Sequence, residues 1–137
     1  MVRTYDPRAL LISFGSHVVG GYAESTFLNI EAHGDGVSKN VGADGEVVRD
    51  IDPDETATLT VTLQYGSPTI EWAQKQYDLD RETSGEGTFP VLVKDLKSGL
   101  VFSAEVGSIE TPPDSEFGKN SSDREITVAT GRAKWVY

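Results

Sequence analysis

The chain has 137 residues, and its 22 acidic side chains against 12 basic ones give a formal net charge of −10. Such an acidic surface repels phosphate groups, which argues against a protein that grips nucleic acid by its backbone or its grooves. The lack of cysteine excludes disulfides and thiolate metal sites, and no apolar run reaches the length of a membrane span. We expect one domain over residues 1–137, made and kept in a cytoplasm because the N-terminus lacks the apolar stretch of a signal peptide.

Short apolar runs separated by turn residues predict β-strands in the first third of the chain. Apolar residues on both sides of 15–17 predict a hairpin with its turn there, and residues 26–32 predict a third strand. Residues 33–45 hold four glycines, few apolar side chains and charges of both signs, so we expect a long exposed loop. Strand character resumes at residues 46–51.

The clearest pattern in the chain runs from residue 56 to residue 64, where threonine alternates with apolar residues. Successive side chains of a strand point to opposite faces, so this pattern predicts a strand with one apolar face and one hydroxyl face. The β-branched residues suit that conformation because their χ1 angles are already restricted. The core residues expected here are Leu59, Val61 and Leu63, packed against Leu92, Ile70 and Ala73.

One helix is predicted directly after that strand, over about residues 67–79. Ser67 before Pro68 is typical of a helix start, because the serine oxygen accepts an unpaired N–H and proline has no N–H to leave unpaired. Apolar residues then recur at helical spacing, and Glu71 lies in the first turn, where the helix dipole favours a negative charge.

The second half of the chain predicts further strands. We expect residues 89–95 and 100–106 to form a hairpin around a tight turn, residues 111–119 a proline-containing loop, and residues 124–137 a long last strand interrupted at Gly131. The predicted fold class is mainly β: a small antiparallel β-barrel or orthogonal β-sandwich with one flanking α-helix.

Motifs for chemistry are not found in this sequence. The two histidines, His17 and His33, lack the spacing of a metal pair. Residues 50–55 resemble the start of a calcium loop, but Glu55 stands where the loop needs a glycine to turn. We therefore predict no catalytic residue, no metal site, no cofactor and no enzymatic activity.

Several short stretches, taken in their order along the chain, carry a resemblance to a known family. They are Arg3-Thr4-Tyr5-Asp6-Pro7, Lys39-Asn40-Val41-Gly42-Ala43-Asp44-Gly45-Glu46-Val47, the Thr-Leu-Thr-Val-Thr-Leu strand with Ser67-Pro68, Lys94-Asp95-Leu96, Pro112-Pro113-Asp114 with Glu116-Phe117-Gly118-Lys119, Arg124-Glu125 and Lys134-Trp135. Together they cover most of the chain and resemble the tail tube proteins of contractile-tailed bacteriophages.

The resemblance implies a small β-barrel or orthogonal sandwich, similar in fold to the type VI secretion tube protein, without catalytic residues. It implies that six subunits close a ring, that rings stack into a tube, and that DNA passes through without specific binding. The implied partners are other copies of the chain and the tail sheath, baseplate and tail terminator proteins, with no membrane partner. The expected location is the virion, after assembly in the cytoplasm of a bacterial host.

Two sets of residues are candidates for these roles. Glycine-containing and proline-fixed loops can reach a neighbouring subunit at low entropic cost, and the non-core face of a sheet is one that a ring can turn toward its bore. The candidates for contact between subunits are Lys39, Asn40, Val41, Gly42, Ala43, Asp44, Gly45, Pro112, Pro113 and Asp114. The candidates for the lumen are Thr56, Thr58, Thr60, Thr62, Ser103 and Glu105.

Two alternatives stay open. One is a different ring-forming tail protein, such as a terminator or a baseplate hub, whose rings do not stack. The other is a small β-sandwich binding module, for example for carbohydrate. Such a module needs exposed aromatic residues on one face, whereas Trp72 falls on the predicted helix and Trp135 in the last strand.

Overall fold

A computed structural model describes residues 2–137, which form ten strands, one α-helix and a short 3-10 turn at Pro7–Ala9. The chain is mainly β, its pairing is antiparallel throughout, and one helix flanks the sheet, as predicted. The elements are β1 (Leu10–Phe14), β2 (His17–Val18), β3 (Leu28–Ala32), β4 (Val37–Val41), β5 (Val47–Ile51), β6 (Ala57–Leu63), α1 (Pro68–Thr83), β7 (Phe89–Asp95), β8 (Val101–Thr111), β9 (Arg124–Thr130) and β10 (Ala133–Val136).

Eight strands form one sheet in the order β2-β1-β7-β8-β9-β6-β3, with β10 paired to β8. Strand β8 belongs to both halves of this sheet: its first residues pair with β7 and β10, and its last residues pair with β9. The alternation of buried and exposed side chains breaks at Glu105 and Val106, where the register with β7 also shifts. Both halves contribute to one core, and within residues 2–137 no pairing joins β2 to β3. The architecture is therefore an open sandwich and not a closed barrel.

The core confirms the predicted phase of β6. Leu59, Val61 and Leu63 are fully buried, while the threonines between them are half-exposed on the other face. The prediction that Leu92 packs inside is wrong, because Val91 and Val93 face the core and Leu92 lies on the opposite face. Three consecutive apolar residues fit either phase of a strand, so the sequence at this point did not decide which one is buried.

Helix α1 begins as predicted and ends later. The Ser67 hydroxyl accepts from the Thr69 amide and donates to the carbonyl of Gly20, so the N-cap also ties the helix to the segment after β2. The helix runs to Thr83 rather than to about 79 and stops at Ser84, which adopts a left-handed φ of 57°. The last turn of the helix is polar and mostly exposed. The helix therefore continues beyond the apolar pattern from which its end was predicted. In the part of the chain that the structure describes, no helix is long and apolar enough to cross a membrane.

The segment predicted as a loop over residues 33–45 instead contains strand β4, which pairs with β5 as a separate two-stranded sheet. The turn between them is closed by the Gly42 amide bonded to Glu46 O at 2.7 Å, with Gly45 in the left-handed region at φ 88°. Every residue of β4 and β5 is exposed. The loop prediction is wrong because the four glycines lie before β4 and in the turn, where they do not interrupt the paired residues.

Candidate functional surfaces

The outer side of the second half-sheet forms a surface that we call the hydroxyl face. Thr60 of β6 lies between Asn29 and Thr127, and Thr62 lies beside Glu125. No lysine or arginine occupies any position of this face, and its charged groups are carboxylates. Its members are Asn29, Glu31, Thr58, Thr60, Thr62, Ser108, Thr111, Glu125, Thr127 and Ala129.

Two further groups border the hydroxyl face. Glu110 is exposed at a bulge of β8, where two residues oppose Thr127. Thr56 precedes β6, and its amide and hydroxyl both donate to the Asp54 carboxylate, at 3.0 and 2.7 Å. Those hydrogen bonds hold the pKa of Asp54 below its ordinary value, so this carboxylate stays charged to lower pH. The border thus adds negative charge to a surface of hydroxyl groups.

The structure does not bring Ser103 or Glu105 beside the threonines. Ser103 lies in the first half of β8, between Leu92 of β7 and Lys134 of β10. Glu105 is exposed at the bulge between the two halves. The outer side of the first half-sheet therefore mixes apolar, hydroxyl and basic side chains, unlike the hydroxyl face.

The β4–β5 hairpin presents a surface of a different kind. Directly opposed residues of an antiparallel pair share one face, and three of the five pairs lie on the same face: Val37 with Ile51, Lys39 with Arg49, and Val41 with Val47. Opposed like charges disfavour the pairing unless an anion lies nearby. We call these six residues the hairpin face; Asn40 points to the other side, where its amide donates to Asp50 at 2.6 Å.

The base and the tip of the hairpin are fixed by local hydrogen bonds. At the base, the amides of Asp35 and Asp54 donate to the Asp52 carboxylate and lower its pKa. At the tip, Gly42, Ala43, Asp44 and Gly45 form the turn, and the Glu46 amide donates to the Asp44 carboxylate. Of the predicted subunit contacts in this hairpin, Lys39 and Val41 lie on the hairpin face, Asn40 lies behind it, and Gly42, Ala43, Asp44 and Gly45 lie at its tip.

Arg124 organises the proline-containing loop between β8 and β9. The side chain is 6% exposed, and its guanidinium donates to the carbonyls of Glu116 and Ser122, at 2.7 and 3.2 Å, and to the Ser122 hydroxyl at 2.7 Å. It also lies over the rings of Tyr65 and Phe117, 5.7 and 5.4 Å from their centroids. Sequence analysis missed this role, although Arg124 occupies the buried phase of β9, where a charged residue needs partners.

A groove of about 600 Å³ lies between the start of α1 and this loop. We call it the α1 groove. Pro112 and Pro113 are half-buried, while Asp114 is exposed at the groove wall, so the structure brings the predicted loop contacts beside the helix. Its lining includes Ile70 and Glu71 of the helix and Pro113, Asp114 and Phe117 of the loop. Across residues 2–137, no group of three or more histidine, aspartate or glutamate side chains is placed to hold a metal ion.

Solved structures share this fold over nearly the whole chain. The sheath/tube terminator of an extracellular contractile injection system, PVC, in its extended state matches with a TM-score of 0.65 and 9% identity, covering 99% of both chains. The anti-feeding prophage cap, a tube terminating cap, matches with a TM-score of 0.63 and 9% identity over 99% of this chain and 94% of that one. The PVC sheath-tube complex gives a TM-score of 0.61 and 12% identity, covering 97% and 91%. At these identities the likeness shows the fold alone.

Sequence comparisons show the family. The chain is 25% identical over 133 residues to Structural protein ORF10 of Pseudomonas phage KPP10, covering 92% of this chain and 77% of that protein. The family model of the bacteriophage PhiTE tail tube protein matches residues 11–134. That match spans the sandwich, the hairpin, the helix and the loop held by Arg124, and so the chain belongs to the bacteriophage PhiTE tail tube protein family.

Proposed function

We propose that this protein is the subunit of a contractile phage tail tube, in which six copies close a ring, rings stack, and DNA passes through the bore. The observation that carries the proposal is the hydroxyl face, a sheet surface without lysine or arginine on a chain of the tail tube family. In the ring this face lines the lumen. The protein has a structural role in the virion and performs no catalysis.

A ring of identical subunits repeats every charge of the subunit around its bore. A lysine or arginine that pairs with a phosphate adds a salt-dependent attraction, and every subunit adds the same one. A lumen built from threonine, serine, asparagine and glutamate offers DNA no such contact. The net charge of −10 adds a repulsive field, so DNA slides past rather than binding.

Ring closure has a candidate in the free edges of the sheet. Among residues 2–137, strand β3 pairs only with β6 and β2 pairs only with β1, so the main sheet has a free edge on each side. Exposed edges pair readily with other strands, and closing a ring of subunits removes them. The sheath, baseplate and terminator proteins then meet the surfaces that are left on the outside and at the ends of the tube.

Electron microscopy of the purified protein tests the proposal, with long hollow tubes as the expected result. Thr60→Lys places one cation per subunit on the hydroxyl face, and tubes of this variant should bind double-stranded DNA at low salt where wild-type tubes do not. Thr88→Lys makes the same charge change on an exposed loop and is the matched control. Tight DNA binding by the wild type, or equal binding by both variants, would refute the lumen assignment.

A tube terminator is the second candidate, because two of the solved structures with this fold are terminators. A terminator caps a tube once and does not continue it. Discrete single rings at every protein concentration, without stacks, would favour this role over that of the tube subunit.

A further inference from the structure

The hairpin face is a surface that its own chain leaves uncovered. All residues of β4 and β5 are exposed, and the apolar ones are far from buried: Val37 at 56%, Val41 at 60% and Ile51 at 72%. Between the apolar pairs stand Lys39 and Arg49, two cations directly opposite each other. A lone two-stranded hairpin is at best marginally stable in water, so a partner that covers the valines and neutralises the cations would stabilise it.

The α1 groove has the complementary composition. Its apolar lining includes Ile70, Pro113 and Phe117, and Phe117 is 79% exposed despite its size. Two carboxylates, Glu71 and Asp114, lie among them. Glu71 is held at 2.8 Å by Lys75, but both side chains are 74% exposed, so that ion pair is weak and can be exchanged for another.

The two surfaces are complementary in the kinds of side chain that they carry. The hairpin face has two cations between apolar pairs, and the groove is lined by two carboxylates and several apolar side chains. The apolar pairs at the two ends of the hairpin face are separated by about 14 Å, at 3.4 Å per strand residue. Burial of the valines supplies the attraction, and the charges fix the register.

We propose that the hairpin face of one subunit docks in the α1 groove of a subunit in the adjacent ring, where Lys39 and Arg49 pair with Asp114 and Glu71. This inference rests on the proposed function and names the surfaces that join its rings. The contact is heterologous, since a hairpin meets a groove and not another hairpin. Every ring therefore keeps free hairpins on one side and free grooves on the other, and stacking continues without a limit of its own.

Charge reversal tests the pairing. Lys39→Glu with Arg49→Glu should abolish tubes while leaving the melting temperature unchanged, because every residue of β4 and β5 is exposed. Glu71→Lys with Asp114→Lys should also abolish tubes, and the four changes together should restore them. Lys94→Glu with Lys97→Glu alters the net charge by the same amount away from both surfaces and should leave tube formation intact.

The outcomes separate this inference from the proposed function. If the wild type forms tubes and the hairpin variant forms them equally well, the docking is refuted and the tube role stands. If each pair of changes abolishes tubes but the combination does not restore them, the hairpin docks elsewhere, and the proposal is equally refuted. Loss of sheath binding by intact tubes of the hairpin variant would assign the hairpin face to the sheath.

A crosslink gives a readout that does not depend on charge. The chain has no cysteine, so Val41→Cys and Ile70→Cys introduce the only two thiols. Under oxidation the double variant should give a ladder of covalent multimers on a denaturing gel, because each subunit links to one above and one below. Each single variant is its own control and should give no ladder. A double variant that stays monomeric within well-formed tubes would overturn the assignment.

Discussion

Replacing Arg124 with methionine tests whether this one side chain holds the loop that forms a wall of the α1 groove. Methionine keeps a long apolar side chain in the buried position but removes three hydrogen bonds to Glu116 and Ser122. Hydrogen bonds from a charged donor are worth about 1.5–3 kcal/mol each, so an upper limit is about 5–9 kcal/mol. Two of the acceptors are carbonyls of an exposed loop, which can turn to water when the arginine is lost.

We therefore expect a loss of only about 2 kcal/mol in the free energy of unfolding, or roughly 6–10 °C in the melting temperature of a domain of this size. Local opening of the loop should increase more than global unfolding of the domain does. Lys119 offers a trypsin site within that loop, and cleavage after it, followed by mass spectrometry, should be faster in Arg124→Met than in the wild type.

Arg132→Met is the matched control for the same chemical change. Arg132 is 83% exposed and pairs at 2.6 Å with Glu55, itself 55% exposed. A pair this exposed contributes about 0–1 kcal/mol, so the control should melt close to the wild type and be cut after Lys119 at the wild-type rate. Equal melting temperatures and equal cleavage rates for wild type and Arg124→Met would show that Arg124 does not hold the loop.

Three further predictions concern stability and are checked by thermal or denaturant unfolding. Leu63→Ala should cost about 2–5 kcal/mol because the side chain is fully buried, whereas Thr62→Ala on the same strand should cost about 1 kcal/mol or less; similar losses would contradict the assigned faces. Burial lowers the pKa of His17, whose Nε2 lies 2.8 Å from the Thr69 hydroxyl, so the unfolded chain takes up its proton first. Stability should fall as the pH drops below the unfolded value of about 6.5, and His17→Gln should reduce that slope. Ser67→Ala removes the N-cap and should cost about 1 kcal/mol, and an unchanged melting temperature would argue against that cap.

The sequence predicts the fold correctly where a residue pattern is compatible with only one local structure. Strand β6 alternates threonine with apolar residues over its whole length, so only one phase buries an apolar face. Serine before proline fixes the start of α1 by the chemistry of capping. In β7, by contrast, Val91, Leu92 and Val93 are all apolar, and only the packing against β8 and the helix selects which of them lie inside.

The hairpin and Arg124 show why the rest could not be predicted. Every residue of β4 and β5 is exposed, so burial in the described part of the chain does not set their residue pattern. The role of Arg124 depends on the path of a loop that returns to it from Glu116 and Ser122. The sequence does carry one clue to it, a charged residue at a position where the strand turns its side chain inward. The residues beside the β6 threonines on the hydroxyl face depend on how β3 and β9 pair with β6, and the sequence does not specify that pairing.

The passage of β8 through both halves of the sheet has a mechanical consequence. At Glu105 and Val106 the two halves are joined by covalent backbone, and not only by hydrogen bonds between neighbouring strands. Hydrogen bonds between strands can break one after another when a sheet is peeled apart, whereas a continuous chain must be stretched before its ends separate. A pull exerted on one half along β8 is therefore transmitted to the other half through peptide bonds.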